Sequence, residues 1–351
     1  MYQPDAIAQF VVNGETYLAT ANEGDTRDTD YYSEEGVVGS LNLSPELAAV
    51  SPEILDQTRA LSLQDTRALG RLVVTTAFPA VTTGSGTPED PIVHNALYSN
   101  GARSFTIWNS SGELVFDSGD QFERIIAERV PNFFNSNEDA NNFDNRSDNK
   151  GPEPEAVAVG EVNGRMYAFV GLERVGGIMI FDVSTPSAPV FEDYVNNRDF
   201  LAPVFVDGEL NAEVGDLGIE GLIFVPADRS PTGLPLVITA SEISGTTSVF
   251  QFDPGTPEEA ALLVTSDPPH EPQRDTIPPS DNFPNDPDPA DHHNNIGEDN
   301  LVRGNFRTIS ISALVRAADR NQPEHIDQAL RELAESPGKT LRSARNSLLV
   351  F

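Results

Sequence analysis

The chain has 351 residues, 55 acidic and 22 basic, no cysteine, and a formal net charge of −33. Such a chain repels phosphate backbones and anionic lipid, so nucleic-acid binding through a basic face and attraction to an acidic membrane do not fit it. Without Cys there are no disulfides, thiolate metal sites or cysteine nucleophiles, yet 38% hydrophobic residues, with 19 Phe and 7 Tyr, are enough for a sizeable core.

Strand signals begin at once. Residues 10–18 read as two strands around an Asn13-Gly14 turn, a dipeptide that suits a tight hairpin. A dense acidic loop follows, from Asn22 to Asp30. Helical patterning is confined to short stretches near 45–69 and 121–129. Residues 105–116 form another hairpin, around Ser111-Gly112. The loop at 135–149 carries six Asn and four acids; it reads as a polar excursion, with Phe133, Phe134 and Phe143 packing part of it down. A third hairpin turns at Asn163-Gly164, and strands follow at 177–183 and 247–252. Residues 254–300 are rich in Pro and Asp and read as a linker, because repeated Pro excludes helix interiors and central strands. Residues 301–351 read as a short helical tail broken at Pro323. The tail holds 8 basic against 5 acidic residues and residues 1–300 hold 14 against 50, so the acidic excess lies wholly before the tail. No run approaches 18 apolar residues, and MYQPDAIAQF lacks the basic and apolar regions of a signal peptide, so none is expected in this chain.

An internal repeat organises residues 1–253. Asp5, Asn13-Gly14, Tyr17 and Glu23 recur as Glu155, Asn163-Gly164, Tyr167 and Glu173, each offset by 150, and a looser copy runs from Glu220 to Glu242. Each copy reads acid, strand, turn, strand, acid. Recurring units of short strands predict an all-β chain of propeller blades. Equivalent acids would then line one rim. Like charges close together need a cation, an Arg or ample water, and Ca²⁺, which takes 6–8 oxygen ligands, suits such a rim. The metal candidates are Asp5, Glu23, Asp25, Glu155, Glu173, Glu220 and Glu242. Arg27, Arg103 and Arg174 are the candidate anion-binding cations. Arg174 directly follows Glu173, and strand alternation would send the two to opposite faces.

The histidines offer little. His94 falls in a polar loop, His270, His292 and His293 in the linker, and His325 in the tail. No Gly-x-Ser-x-Gly elbow, P-loop or dinucleotide fingerprint occurs. Any enzyme here would work with carboxylates, Arg and metal.

Four stretches carry a resemblance: MYQPDAIAQFVVNGETYLATANEGDTRD, YSNGARSFTIWNSSGELVFDSGDQFE, NFDNRSDNKGPEPEAVAVGEVNGRMYAFVGLERVGGIMIFDV and EGLIFVPADRSPTGLPLVITASEISGTTSVFQF. They closely resemble the choice-of-anchor I family, also called mesenchyme-specific cell surface glycoprotein-like. The resemblance implies a secreted or surface-anchored bacterial β-propeller of the YVTN/phytase-like kind. Some of the family carry alkaline phosphatase or phytase-like labels. It also implies that Asn22, Glu23, Asp25 and Arg27 form a shared loop motif, as do Arg103 and the segments 153–155 and 173–174; no catalytic residue carries over. This chain departs from the family at Ser241, usually Asn, and at Ile219, often Pro. The family's propeller normally begins well upstream of Tyr2-Gln3-Pro4-Asp5, so a partial propeller of C-terminal blades is expected over 1–253. Half a ring would leave a blade face bare at each end, to be met by missing N-terminal blades or another copy of the chain. Two functions are expected: an extracellular or cell-surface module binding a divalent cation, with a surface, adhesion or interaction role; or a metal-dependent phosphoesterase in which Arg103 or Arg174 grips phosphate.

Overall fold

A computed structural model describes residues 2–49, 62–77 and 82–254 and the strand at 306–309. The expected helices of the tail and the linker histidines lie outside the described residues. The described chain is all-β in its framework, with three four-stranded antiparallel meanders and few helices. The first sheet comprises Ala6–Val12, Glu15–Ala21, Phe105–Asn109 and Leu114–Asp117. The middle sheet comprises Pro154–Val162, Arg165–Leu172, Ile178–Asp182 and Val190–Val195. The third comprises Ile219–Val225, Leu236–Ser241, Thr246–Phe252 and Phe306–Ile309. Its last strand comes from the segment read as a helical tail. Four consecutive antiparallel strands are the blade unit of a propeller.

Local chemistry explains the hairpins. Asn13 and Gly14 have φ of 54° and 83°, and Asn163 and Gly164 have 53° and 78°. Both central residues of a type I′ turn need positive φ, which Asn and Gly tolerate. The helix Gln121–Arg129 buries Phe122 and Ile126 against the first two sheets.

Alternation along the strands builds the core. In Arg165–Leu172, Ala168, Val170 and Leu172 join the cluster facing the first sheet, while Tyr167 and Phe169 join the cluster facing the third. The middle sheet is therefore buried on both faces. Phe105, Phe122 and Phe181 pack with ring centroids 4.9–6.0 Å apart. On the other face Phe169 stacks on Phe224 at 5.6 Å and meets Phe252 edge-on at 5.2 Å. Each such ring contributes about 1.5–3 kcal/mol by burial. The sheets pack closely at Gly160, where a Cβ would sit 2.3 Å from the Phe224 ring.

Gly160→Ala should therefore lower stability by about 1–3 kcal/mol through overpacking. Phe224→Leu in the same chain should recover part of that loss. Urea melts of the two single variants and the double variant measure both effects, and an unchanged midpoint for Gly160→Ala would refute the close packing.

Candidate functional site

The repeat has a structural counterpart at the leading end of each sheet. Ala6 pairs with Ala21, Ala156 with Gly171 and Gly221 with Ala240. The residue before each first partner is an acid: Asp5, Glu155 and Glu220. Two residues beyond each second partner stands another: Glu23, Glu173 and Glu242. Glu155 and Glu220 are the extra residues where the register shifts, and a β-bulge re-aims the side chain it carries. Two residues before each first acid the backbone turns left-handed, with φ of 43° at Gln3, 52° at Glu153 and 70° at Gly218. The carbonyls of these residues accept the N–H of Gly24, Glu173 and Glu242, at 3.1, 2.9 and 2.7 Å. In the second and third copies the second acid itself donates this bond, and in the first its successor Gly24 does, so each pair of acids is held by a related backbone contact.

Glu153 is the centre of the arrangement. Its side chain is 0% exposed and pairs with Arg146, with Lys150 Nζ at 2.9 Å and with Arg174 Nε at 2.9 Å. Burial would raise its carboxyl, but Arg146, Arg174 and Lys150 together hold it below its ordinary value. Lys150 also pairs with Glu23 and donates to the Gly24 carbonyl at 2.7 Å. Arg174 reaches Glu138 at 2.6 Å and Glu173 at 2.8 Å. Gly24 and Gly101 make this closeness feasible. A Cβ on Gly24 would lie 2.0 Å from the Gly101 nitrogen, and both residues have positive φ.

The outer acids are compensated differently. One carboxylate oxygen from each of Asp5, Glu23 and Glu155 lies within 4.8 Å of the others, and the same holds for Glu23, Glu153 and Glu173 and for Glu173, Glu220 and Glu242. Three overlapping groups thus cross from the first sheet to the third. Among the described residues Asp5, Glu155, Glu220 and Glu242 form no ion pair with Lys or Arg. Burial, then Glu23, Asp5 and Glu220, push the Glu155 carboxyl up to about 9. Burial, then Glu153 and Glu138, outweigh Arg174 and put Glu173 at about 8. Burial and Glu153 outweigh Lys150 and put Glu23 at about 7. Glu220 is raised by burial, Glu242 and Asp5. Glu155 and Glu173 therefore hold protons at neutral pH unless a cation replaces them.

Six of the seven metal candidates are brought together: Asp5, Glu23, Glu155, Glu173, Glu220 and Glu242. Asp25 is not. It is exposed in the loop, and its carboxylate accepts the Thr26 N–H at 2.7 Å. Arg27 is exposed and forms a two-pronged pair with Glu34, at 2.9 and 2.8 Å. Arg103 binds Glu123 at 2.9 Å and the carbonyls of Ser147 and Asn149 at 2.7 Å each. Arg174 does pair with Glu173, contrary to the alternation argument. The strand ends at Leu172, so alternation no longer governs the next two residues. Asn22 is buried and structural, accepting from Thr20 Oγ1 at 3.0 Å. His94 is buried, not part of a polar loop surface, and its strand Val93–His94 pairs with Thr82–Thr83.

Sequence reasoning missed Arg146, Lys150 and Glu138. Lys150 had one visible signal: it is one of two lysines in the chain and falls among acids. The loop at 135–149 is well pinned. Asn135 donates to Glu123 and Ser147 at 2.8 Å each, and Arg198 donates to the carbonyls of Asn137 and Arg174 at 2.8 and 2.9 Å. Phe133 stacks on Phe200 at 5.0 Å, while Phe143 stays exposed.

The choice-of-anchor I domain matches residues 1–186. Gigasin-3a of Magallana gigas is 31% identical over 196 residues, covering 54% of this chain and 66% of that protein. The mesenchyme-specific cell surface glycoprotein of Strongylocentrotus purpuratus is 28% identical over 241 residues, covering 61% of this chain and 29% of that protein. The chain thus spans just under two thirds of one relative and under a third of the other.

Two outcomes follow from the charge arrangement. Glu153→Gln leaves Arg146, Lys150 and Arg174 facing one another without their shared anion. It should cost about 3–5 kcal/mol in a denaturant melt, and a loss no larger than that of an exposed Glu→Gln change would contradict the central role. The second outcome concerns pH. Glu23, Glu155 and Glu173 bind protons more tightly folded than unfolded, so their contribution is complete below about pH 4.5 and is lost as pH rises through 7 to 9. In chelator, thermal stability should fall across that window, and Glu155→Gln should flatten the fall. A melting temperature that climbs from pH 7 to 9 would refute the assignment.

Proposed function

Since this chain belongs to the choice-of-anchor I domain family, we propose that it is an extracellular or cell-surface β module whose rim carboxylates take up a divalent cation. The surface role rests on the family and on the sea-urchin relative, whose name is that of a cell surface glycoprotein. No helix among the described residues is long and apolar enough to cross a membrane. The observation that carries the cation is the group Asp5, Glu23 and Glu155. It is offered by two sheets at repeat-equivalent positions. Two of its three members have no cationic side chain paired with them.

The donor set fits Ca²⁺ best. All the donors are hard carboxylate oxygens, on positions that run from exposed Asp5 through half-buried Glu23 to buried Glu155, and monodentate or bidentate carboxylates with water complete a flexible shell of 6–8 oxygens. No sulfur is present in the group, and His94 is not a member of it. Glu173, Glu220 and Glu242 offer a second group of the same kind. The group between them already holds Glu153 with its three cations and has no need of an ion. Cation uptake would displace the protons held on Glu155 and Glu173, so affinity should rise with pH.

The phosphoesterase reading needs a guanidinium free to grip phosphate. Arg103 and Arg174 are both engaged by carboxylates, and Arg27 is on the surface with Glu34. This favours a cation-dependent binding module over a hydrolase.

Added Ca²⁺ should raise the melting temperature, more at pH 9 than at pH 6. Asp5→Asn and Glu155→Gln should each reduce the shift while leaving the protein folded. Calorimetric titration with CaCl2 measures the binding directly. No heat and no shift at either pH would eliminate the cation reading. Hydrolysis of a chromogenic phosphomonoester, abolished by chelator, would instead favour the enzyme.

A further inference from the structure

Each sheet ends in an outer strand, and the chain reaches that strand differently in the third sheet. In the first sheet 4 residues join Asn109 to Leu114, and in the middle sheet 7 join Asp182 to Val190. In the third, 53 residues separate Phe252 from Phe306, where the outer strand begins. Effective concentration falls roughly as the −3/2 power of tether length, so a 53-residue connection holds its strand about 20- to 50-fold less concentrated at its neighbour than the two short ones do. The outer strand is also brief, with four pairs from Val249 with Ile309 to Phe252 with Phe306.

The strand beside it is unlike the outer strands of the other two sheets. Leu114–Asp117 carries Asp117, and its pairing shifts register after Leu114. Val190–Val195 carries Glu192 and Asp193 and also meets its neighbour with a register shift. Charges and bulges of this kind keep a sheet edge from taking up a further strand. Thr246–Phe252 has the sequence TTSVFQF, with no charge and no Pro, and it pairs with Leu236–Ser241 without a shift. Five of its seven residues are β-branched or aromatic, the types that favour a pleated strand. Its outer edge is therefore ready to pair with an extended chain.

We propose that the outer edge of Thr246–Phe252 is a strand-acceptor site, that residues 306–309 cover it as a detachable strap, and that an extended, non-acidic peptide of another protein can take their place. Recognition is by main-chain hydrogen bonds, the mode of β-strand addition. Alternation fixes which groups take part. Phe252 donates its N–H to the Pro235 carbonyl, toward the inner neighbour. Phe250 therefore also faces inward, and the N–H groups of Val249 and Gln251 face the strap. Opposite them in register stand Ile309 and Arg307. The strap belongs to residues 301–351, which hold 8 basic against 5 acidic residues, and the chain as a whole has a net charge of −33. Charge thus draws the strap back at low salt, less so at high salt, and repels an acidic competitor.

Hydrogen exchange, read residue by residue in the full chain, tests this. The Val249 and Gln251 amides should exchange about tenfold or more faster than those of Phe250 and Phe252, because the strap opens without the rest of the sheet. Arg307→Pro together with Ile309→Pro removes both N–H groups that face the edge. It should strip the remaining protection from Val249 and Gln251 and leave Phe250 and Phe252 protected, which also reports that the inner strands are folded. A synthetic peptide of residues 304–311, GNFRTISI, added in excess should restore the lost protection. In the unaltered chain the same peptide carrying a spin label should broaden the Val249 and Gln251 resonances, a reading that needs no substitution. Val249 and Gln251 protected as well as their neighbours, and unaffected by the two prolines, would overturn the proposal. So would a peptide that neither restores protection nor broadens these resonances.

Discussion

Glu153 is the residue on which the described rim depends. It is fully buried, left-handed in its backbone and shared by Arg146, Lys150 and Arg174. Its cations come from the loop at 135–150 and from the turn after Leu172. Lys150 extends the network to Glu23 on the first sheet, and Arg174 extends it to Glu138 and Glu173. A buried carboxylate is costly unless it is paired, and pairing it requires that all these segments be in place together. The loops of the rim are therefore assembled as a unit.

This neutralised centre divides the acids into two kinds. Glu153 sits below its ordinary carboxyl value because three cations share it. Glu155, two residues later at the start of the strand Pro154–Val162, sits well above because of its burial and then of its neighbours Glu23, Asp5 and Glu220. The contrast comes from placement, since the two side chains are chemically identical. The cation uptake proposed above is assigned for this reason to the outer groups and not to the central one, whose carboxylate Arg146, Lys150 and Arg174 already share.

Much of the framework was legible in the sequence. The offset of 150 between Asp5 and Glu155 and between Glu23 and Glu173 predicted equivalent positions, and strand register places them so. The Asn-Gly dipeptides marked hairpins because few other residues tolerate their turn. The looser third copy also holds, with Gly218 at the left-handed position where Gln3 and Glu153 stand in the others. Less legible were the partners. Lys150 and Glu23 are 127 residues apart, and no local pattern connects them. Arg103, Arg27 and Arg174 read as candidate anion-binding cations because no local pattern tied them to their acids: Glu123 stands on the helix Gln121–Arg129, and Glu34 and Glu138 lie in loops. The Asn-rich loop read as a polar excursion for the same reason. Its amides serve Glu123 and Ser147, and its carbonyls serve Arg103 and Arg198.

What the sequence determined by itself was local and periodic: strands, turns, the acidic excess before residue 301 and the recurrence of acids at fixed places in each copy. Alternation and turn chemistry act over a few residues, and a repeat preserves them. What only the tertiary structure decided was which acids are neutralised and which are left to one another. That depends on where distant loops meet and on how far each carboxylate is withdrawn from water, since burial weakens screening and makes the nearest charge decisive.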